Sequence, residues 1–269
     1  MVRVELPQSN LKARRRKRRV WLVAGAFGVV VVLATLFSFA AHASFVRVMN
    51  IIVSDTGGIT EASVERLVRK DLSGSYFFIF PRDNIFLYPK QTIQDSLRTE
   101  YAVIKDAKVR AKDFQTIEVA LTLRQPAALW CTQEGACGLM DEDGVVYADA
   151  PAFSAPVYVE YSGPLASSSA QTQYLGSEEF RSLFALIDAL SKKDQNNQVR
   201  SVVVDETGDV RAYFQKDFLL IFSLHDDGGD VFERFSLALQ SDLFKAHTLA
   251  DFEYLDLRFG EKLYYKLKD

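Results

Sequence analysis

The sequence is poor in the residues that carry most enzyme chemistry. Three histidines and two cysteines are all that its 269 residues hold. His42 borders a long apolar run, His247 lies in a polar stretch, and only His225 has acids close by, at Asp226, Asp227 and Asp230. Those acids read as a strand-to-helix loop in which Asp supplies turn and cap chemistry and Gly228-Gly229 supply backbone freedom; a cation site at His225 is the alternative. Asp141, Glu142 and Asp143 are adjacent turn acids, expected to point apart into solvent. No glycine-rich phosphate loop and no internal repeat is present. A hydrolase needs a nucleophile with a base, a metal site or a carboxylate pair. The sequence therefore argues against an enzyme and implies no cofactor or metal.

Charge is missing altogether from residues 20–41, VWLVAGAFGVVVVLATLFSFAA. At about 1.5 Å per residue a helix of this length matches a hydrocarbon core of roughly 30 Å, and only a helix satisfies its own backbone there. Seven of the eight residues before the run are basic, and Arg47 is the one close basic residue after it. That asymmetry predicts a cytoplasmic N-terminus, with the tail facing anionic lipid headgroups. Ala41-His42-Ala43 resembles a signal-peptidase site, but a signal-peptide core is usually about 7–15 residues, so an uncleaved anchor is expected. Residues 1–19 carry eight Lys/Arg and one Glu, leaving 24 basic against 34 acidic residues beyond. An acidic ectodomain disfavours nucleic acid as a partner.

Cys131 and Cys137 flank Thr132-Gln133-Glu134-Gly135-Ala136, a short polar segment between apolar runs that reads as a hairpin loop. Cysteines at the two ends of such a loop, outside the cytoplasm, are expected to form a disulfide.

Beyond the span the order reads β-α-α-β-β over residues 44–125. A strand is expected from Phe45 to Val53, and a helix capped at Thr60 with Val64, Leu67, Val68 and Leu72 on one face. An irregular aromatic connection at 76–89 and a short helix at 92–97 follow. Two strands at 103–112 and 116–124 complete the unit. Residues 126–269 read as an α+β domain with a mostly antiparallel sheet. Loops are expected at 151–156 and 162–173. A helix capped by Ser177 buries Phe180, Leu183, Phe184, Ile187 and Leu190. Three strands, a helix from about Asp230 and a terminal hairpin turning at Gly260-Glu261 close the chain.

Together these features resemble the bacterial cell-division family FtsQ/DivIB across nearly the whole chain. A basic tail and one span (residues 1–19 and 20–41) lead into Phe45-Val-Arg-Val-Met-Asn-Ile, similar to the opening strand of that family's POTRA domain. Ile104-Lys-Asp-Ala-Lys-Val-Arg110 and Thr116-Ile-Glu-Val resemble its paired strands. Arg124-Gln-Pro-Ala-Ala128 with Trp130 resembles its interdomain signature. Met140-Asp-Glu-Asp-Gly-Val-Val-Tyr147 and Tyr254-Leu-Asp-Leu-Arg-Phe259 with Tyr264-Tyr-Lys266 resemble its later hairpins. The chain departs from the family at Leu123, where Glu is usual, in lacking Trp-Pro at 113–115, and in its longer aromatic stretch at 76–89.

The resemblance implies a non-catalytic scaffold of the inner (plasma) membrane at the division septum. It would have a POTRA domain at 44–125 and a β-rich FtsQ-type domain at 126–269, and would bind FtsB with FtsL to help control septal wall synthesis. It places the partner site on Phe259, Lys262, Tyr264 and Lys266, through addition of an extended segment to the sheet edge. Asp256 and Arg258 are expected as a surface pair. A proline at Tyr264 would block the added strand if that N–H points outward. Two alternatives stand beside this reading: a membrane-anchored envelope enzyme, and a secreted POTRA module of an export system, which needs cleavage after Ala43 and a following barrel.

Overall fold

A computed structural model describes residues 11–78, 80–168 and 171–268. The first ten residues of the basic tail lie outside the described residues. The chain is mixed α+β and divides into two units, one of residues 1–97 with 106–121 and one of residues 98–105 with 122–269.

The first unit opens with α1 (Leu11–Ala41), whose apolar side chains from Val20 to Leu36 are exposed. It is long and apolar enough to cross a membrane. The expected strand from Phe45 is shorter than the sequence suggested. Residues Ser44–Val46 form a single 3-10 turn and β1 begins only at Asn50 (Asn50–Ser54), because Val46 and Val48 bond to the 83–85 loop instead. Helix α2 (Glu61–Leu72) buries Val64, Val68 and Leu72. Its N-cap is Thr60, whose hydroxyl meets Ser63 rather than a backbone N–H. The aromatic connection is partly ordered as a hairpin, β2 (Ser75–Tyr76) with β3 (Phe80–Pro81). Helix α3 (Lys90–Glu100) is longer at both ends than its apolar pattern showed and buries Ile93 and Leu97. Strands β4 (Ile104–Ala111) and β5 (Thr116–Leu123) follow, in a sheet ordered β1-β5-β4 with β1 parallel to β5. Ile117, Val119 and Leu121 of β5 point inward with the strand's period of two.

The second unit is built on one eleven-stranded sheet. Its first strands are β6 (Ala128–Cys131), β7 (Cys137–Met140), β8 (Val145–Asp149), β9 (Glu160–Ser162), β10 (Ala166–Ser168) and β11 (Gln171–Gln173). After α4 (Ser177–Lys193) come β12 (Val199–Val204), β13 (Asp209–Phe214) and β14 (Leu219–Ser223). Helices α5 (Gly228–Gln240) and α6 (Asp242–Ala246) lead to β15 (Phe252–Phe259) and β16 (Lys262–Leu267). The order is β10-β11-β8-β7-β6-β9-β12-β13-β14-β15-β16, antiparallel except where β9 runs parallel to β6 and β12, and β14 to β15. The stretch 162–173, expected as loop, holds the β10–β11 hairpin.

Helices α4 and α5 bury Phe180, Leu183, Leu186, Ile187, Leu190, Val231 and Phe235 in one core with the inward residues of β12 to β15. Gly176, not Ser177, is the N-cap of α4. Gly163, at φ 134°, lets the chain leave β9 where an added Cβ would stand 2.1 Å from the Val204 carbonyl oxygen; only a residue without Cβ fits there.

Two buried charges contradict the expectation of solvated turn acids. Asp141 is 1% exposed and pairs with Arg124, itself buried, at 2.5 Å. Its other oxygen accepts the N–H groups of Asp143 and Val145 at 3.0 Å each. Asp143 is held by Arg181 at 2.5 Å and Lys105 at 2.8 Å. Burial pushes the Asp143 carboxyl up, but hydrogen bonds from Lys105 and Arg181 more than offset this and hold it below the usual carboxylate range.

Candidate partner-binding edge

The terminal hairpin follows from its turn. Phe259 pairs with Lys262 across a two-residue loop, and Gly260 takes φ 65°, which suits glycine at the first position of such loops. Strand β16 has a neighbouring strand on one side only and ends the sheet. The direction of its backbone groups is fixed by one bond beyond the strand, from Lys268 N–H to the Asp251 carbonyl at 2.9 Å. Strand backbone groups alternate sides residue by residue. Lys262, Tyr264 and Lys266 therefore turn their N–H and C=O toward β15. Leu263, Tyr265 and Leu267 turn theirs outward. The expected proline test at Tyr264 is corrected accordingly: that N–H belongs to the hairpin ladder, and Tyr265 carries the outward donor.

Side chains divide the other way. Cross-strand pairing sets Tyr264 beside Asp256 and Lys266 beside Tyr254, on the sheet face opposite the helices. Leu263 and Leu267 pack against the core, and Tyr265 meets the Phe252 ring edge-on at 5.8 Å. Phe259 is 53% exposed; its ring meets Tyr264 edge-on at 5.0 Å and lies under the Arg258 guanidinium at 5.5 Å. Lys262 is exposed, and Lys266 bonds Glu253 at 2.5 Å. The structure thus gathers all four sequence-predicted residues on the one hairpin.

Beneath this edge lies an ion-pair group of which the sequence showed the Asp256–Arg258 pair but neither its burial nor its link to Asp209. Arg258 grips Asp256 through Nε at 2.9 Å and Nη2 at 2.6 Å, and its remaining nitrogen donates to Asp209 of β13. Asp256 is buried rather than on the surface. Burial raises its carboxyl, yet the Arg258 side chain and backbone N–H hold it below the usual range. The Asp256 bond pushes the Arg258 guanidinium further up. Next to it, the Asp205 carboxyl accepts the Thr207 hydroxyl at 2.6 Å and falls to about 2, with Arg211 bonded at 3.0 Å. From α5, Arg234 donates to the Leu257 carbonyl at 2.8 Å and binds Asp226 at 2.5 Å. The edge is thereby held by charge from β13 and α5 as well as by its own ladder.

The other candidates are absorbed by structure. Asp227 caps α5, accepting the Gly229 N–H at 2.8 Å and the Asp230 N–H at 3.3 Å, and Asp226 is taken by Arg234. Among the described residues no group of three His, Cys, Asp or Glu is placed to hold a metal ion. Cys131 and Cys137 face each other as a cross-strand pair, Cα atoms 4.1 Å apart, and their sulfurs are bonded. Against known proteins, no family model matches the chain and no curated protein matches it.

Proposed function

We propose that this chain is a single-pass membrane scaffold of the FtsQ/DivIB type, with a cytoplasmic N-terminus and no catalytic role. In this reading its extracytoplasmic domain binds FtsB with FtsL at the division septum and helps control septal wall synthesis. The observation that carries the reading is β16: an edge strand with outward backbone groups at Leu263, Tyr265 and Leu267, flanked by the exposed Phe259 and Tyr264. An extended partner segment can add there, with backbone bonds supplying affinity and the aromatic pair supplying selectivity. The order β1-α2-α3-β4-β5, with the short β2–β3 hairpin between the two helices and β1 parallel to β5, supports a POTRA domain. The length of α1 supports the anchor, and the basic flank supports its orientation.

The test is co-purification of the full chain with FtsB in detergent, wild type against Phe259→Glu. Circular dichroism serves as the folding control. Retention of FtsB at wild-type strength by the folded variant, together with retention after deletion of residues 260–269, would place the partner site elsewhere.

A further inference from the structure

The aromatic stretch at 76–89 is not used by the proposed partner edge, and it carries the most exposed rings among the described residues. Phe77 is 86% exposed and Phe78 fully so. Outside the span, Phe45, Phe86 and Phe114 of the same unit are also largely exposed. Among the described residues the larger second unit exposes Phe153, Phe259, Tyr264 and Tyr265, none of them beyond 53%. Scattered exposed apolar residues are ordinary, but rings concentrated in one unit mark a contact surface.

Several contacts place this stretch at the outer end of α1. Asn84 is buried and donates Nδ2 to the Ala41 carbonyl at 2.9 Å, serving one of the orphan acceptors of the helix C-terminus. Val48 N–H donates to Asp83 at 2.7 Å, Ile85 N–H to Val46 at 2.8 Å, and Arg47 pairs with Asp83 at 2.5 Å. Strand β3 lies beside α1 itself, and Arg82 N–H ties back to Gly74 at 3.1 Å. The β2–β3 hairpin is therefore braced against the end of the span. Phe78 lies six residues from Asn84, within about 20 Å of it at strand rise.

The tip also has an unusual sequence for its conformation. Phe77 and Phe78 adopt φ 50° and 61°, a region where glycine and asparagine are comfortable and bulky residues are not. Two phenylalanines thus stand where a turn built for stability alone would carry Asn-Gly. Phe is among the apolar side chains that bury shallowly at the headgroup–acyl boundary of a bilayer. Arg82, stacked over the Tyr76 ring at 5.2 Å, adds a cation at the hairpin's base.

We propose that the Phe77-Phe78 tip is a second membrane contact, which enters the outer headgroup layer beside α1 and fixes the first unit against the bilayer surface. This rests on α1 being the span. The test uses the full chain in phosphatidylethanolamine–phosphatidylglycerol vesicles, carrying a single environment-sensitive label at Phe78→Cys or at Phe27→Cys within the span. Doxyl lipids report bilayer contact and aqueous iodide reports water. The expected result is strong doxyl quenching at both positions, with iodide quenching at 78 reduced about fivefold relative to the free dye. A label at 27 that is quenched while 78 stays open to iodide overturns the tip contact alone. Failure at 27 overturns the anchor reading and with it this inference. Shielding of 78 from iodide without doxyl quenching points to a protein surface over the tip and also overturns it. A second measurement guards against a folding artefact: a Phe77→Asn, Phe78→Gly chain, whose residues suit the turn, should exchange its hairpin amides several-fold faster than wild type in the same vesicles. Equal exchange rates overturn the proposal.

Discussion

Replacing Arg258 by Met keeps much of the stem's packing but removes every donor that Asp256 receives from a side chain. The Asp256 carboxylate, 7% exposed as a side chain, would keep only the Arg258 backbone N–H at 3.1 Å. Breaking a fully buried pair costs about 3–5 kcal/mol. Arg258 is 29% exposed, so water reaches part of the gap and about 2–3 kcal/mol is expected at pH 7. With a urea slope of about 2 kcal/mol per M, the unfolding midpoint of the second unit should fall by about 1–1.5 M. Trp130 fluorescence in a Trp21→Phe background reports that transition. The pH dependence gives the sign. In the wild type the folded-state Asp256 is depressed, so its stabilisation is present above the unfolded carboxylate range and is lost as pH falls through the folded value. In the variant burial remains while the Arg258 side chain is gone, so the carboxyl rises and is protonated readily. The gap between wild type and variant should therefore shrink as pH falls from 7 toward about 4.5. Adding Asp256→Asn should recover most of the loss at pH 7. An equal gap at both pH values, or no rescue by Asn, would refute the reasoning.

Arg124→Met should destabilise the second unit by about 3–5 kcal/mol, since both partners are buried, and Asp141→Asn should restore part of that while keeping its turn acceptor; urea denaturation of the two variants checks it. Non-reducing peptide mapping should find Cys131 linked to Cys137, and changing both to Ala should cost about 2 kcal/mol, the low end expected for so short a loop. Mass spectrometry of membrane-extracted protein should find the N-terminal tail retained; a chain beginning at Ser44 would contradict the anchor.

Regular, amphipathic elements were legible because their periods are local. The stripes Val64-Val68-Leu72 and Phe180-Leu183-Ile187-Leu190, and the alternation of Ile117, Val119 and Leu121, each declare an inward face. The hairpin β10–β11 is not legible in the sequence, because its residues are small or polar and no apolar alternation marks it. Phe45 and its neighbours looked like strand by composition, but the backbone of Val46 and Val48 is claimed by residues some 35 positions later. The acids at 141 and 143 read as solvated because their cations, Arg124, Arg181 and Lys105, are distant in sequence. At the candidate edge the aromatic positions were readable by resemblance. Which backbone groups face outward was not, since that depends on the register with β15 and on its bulges.

The central claim is that β16 receives an added strand, and Tyr265→Pro tests it most directly. That residue's N–H points away from β15, so proline removes one outward donor and leaves the hairpin ladder intact. The measurement is the affinity of the full chain for FtsB, alongside circular dichroism. The account predicts a folded protein whose Kd rises by about tenfold or more, equivalent to about 1.4 kcal/mol. A folded Tyr265→Pro chain that binds FtsB as tightly as wild type would contradict strand addition at this edge.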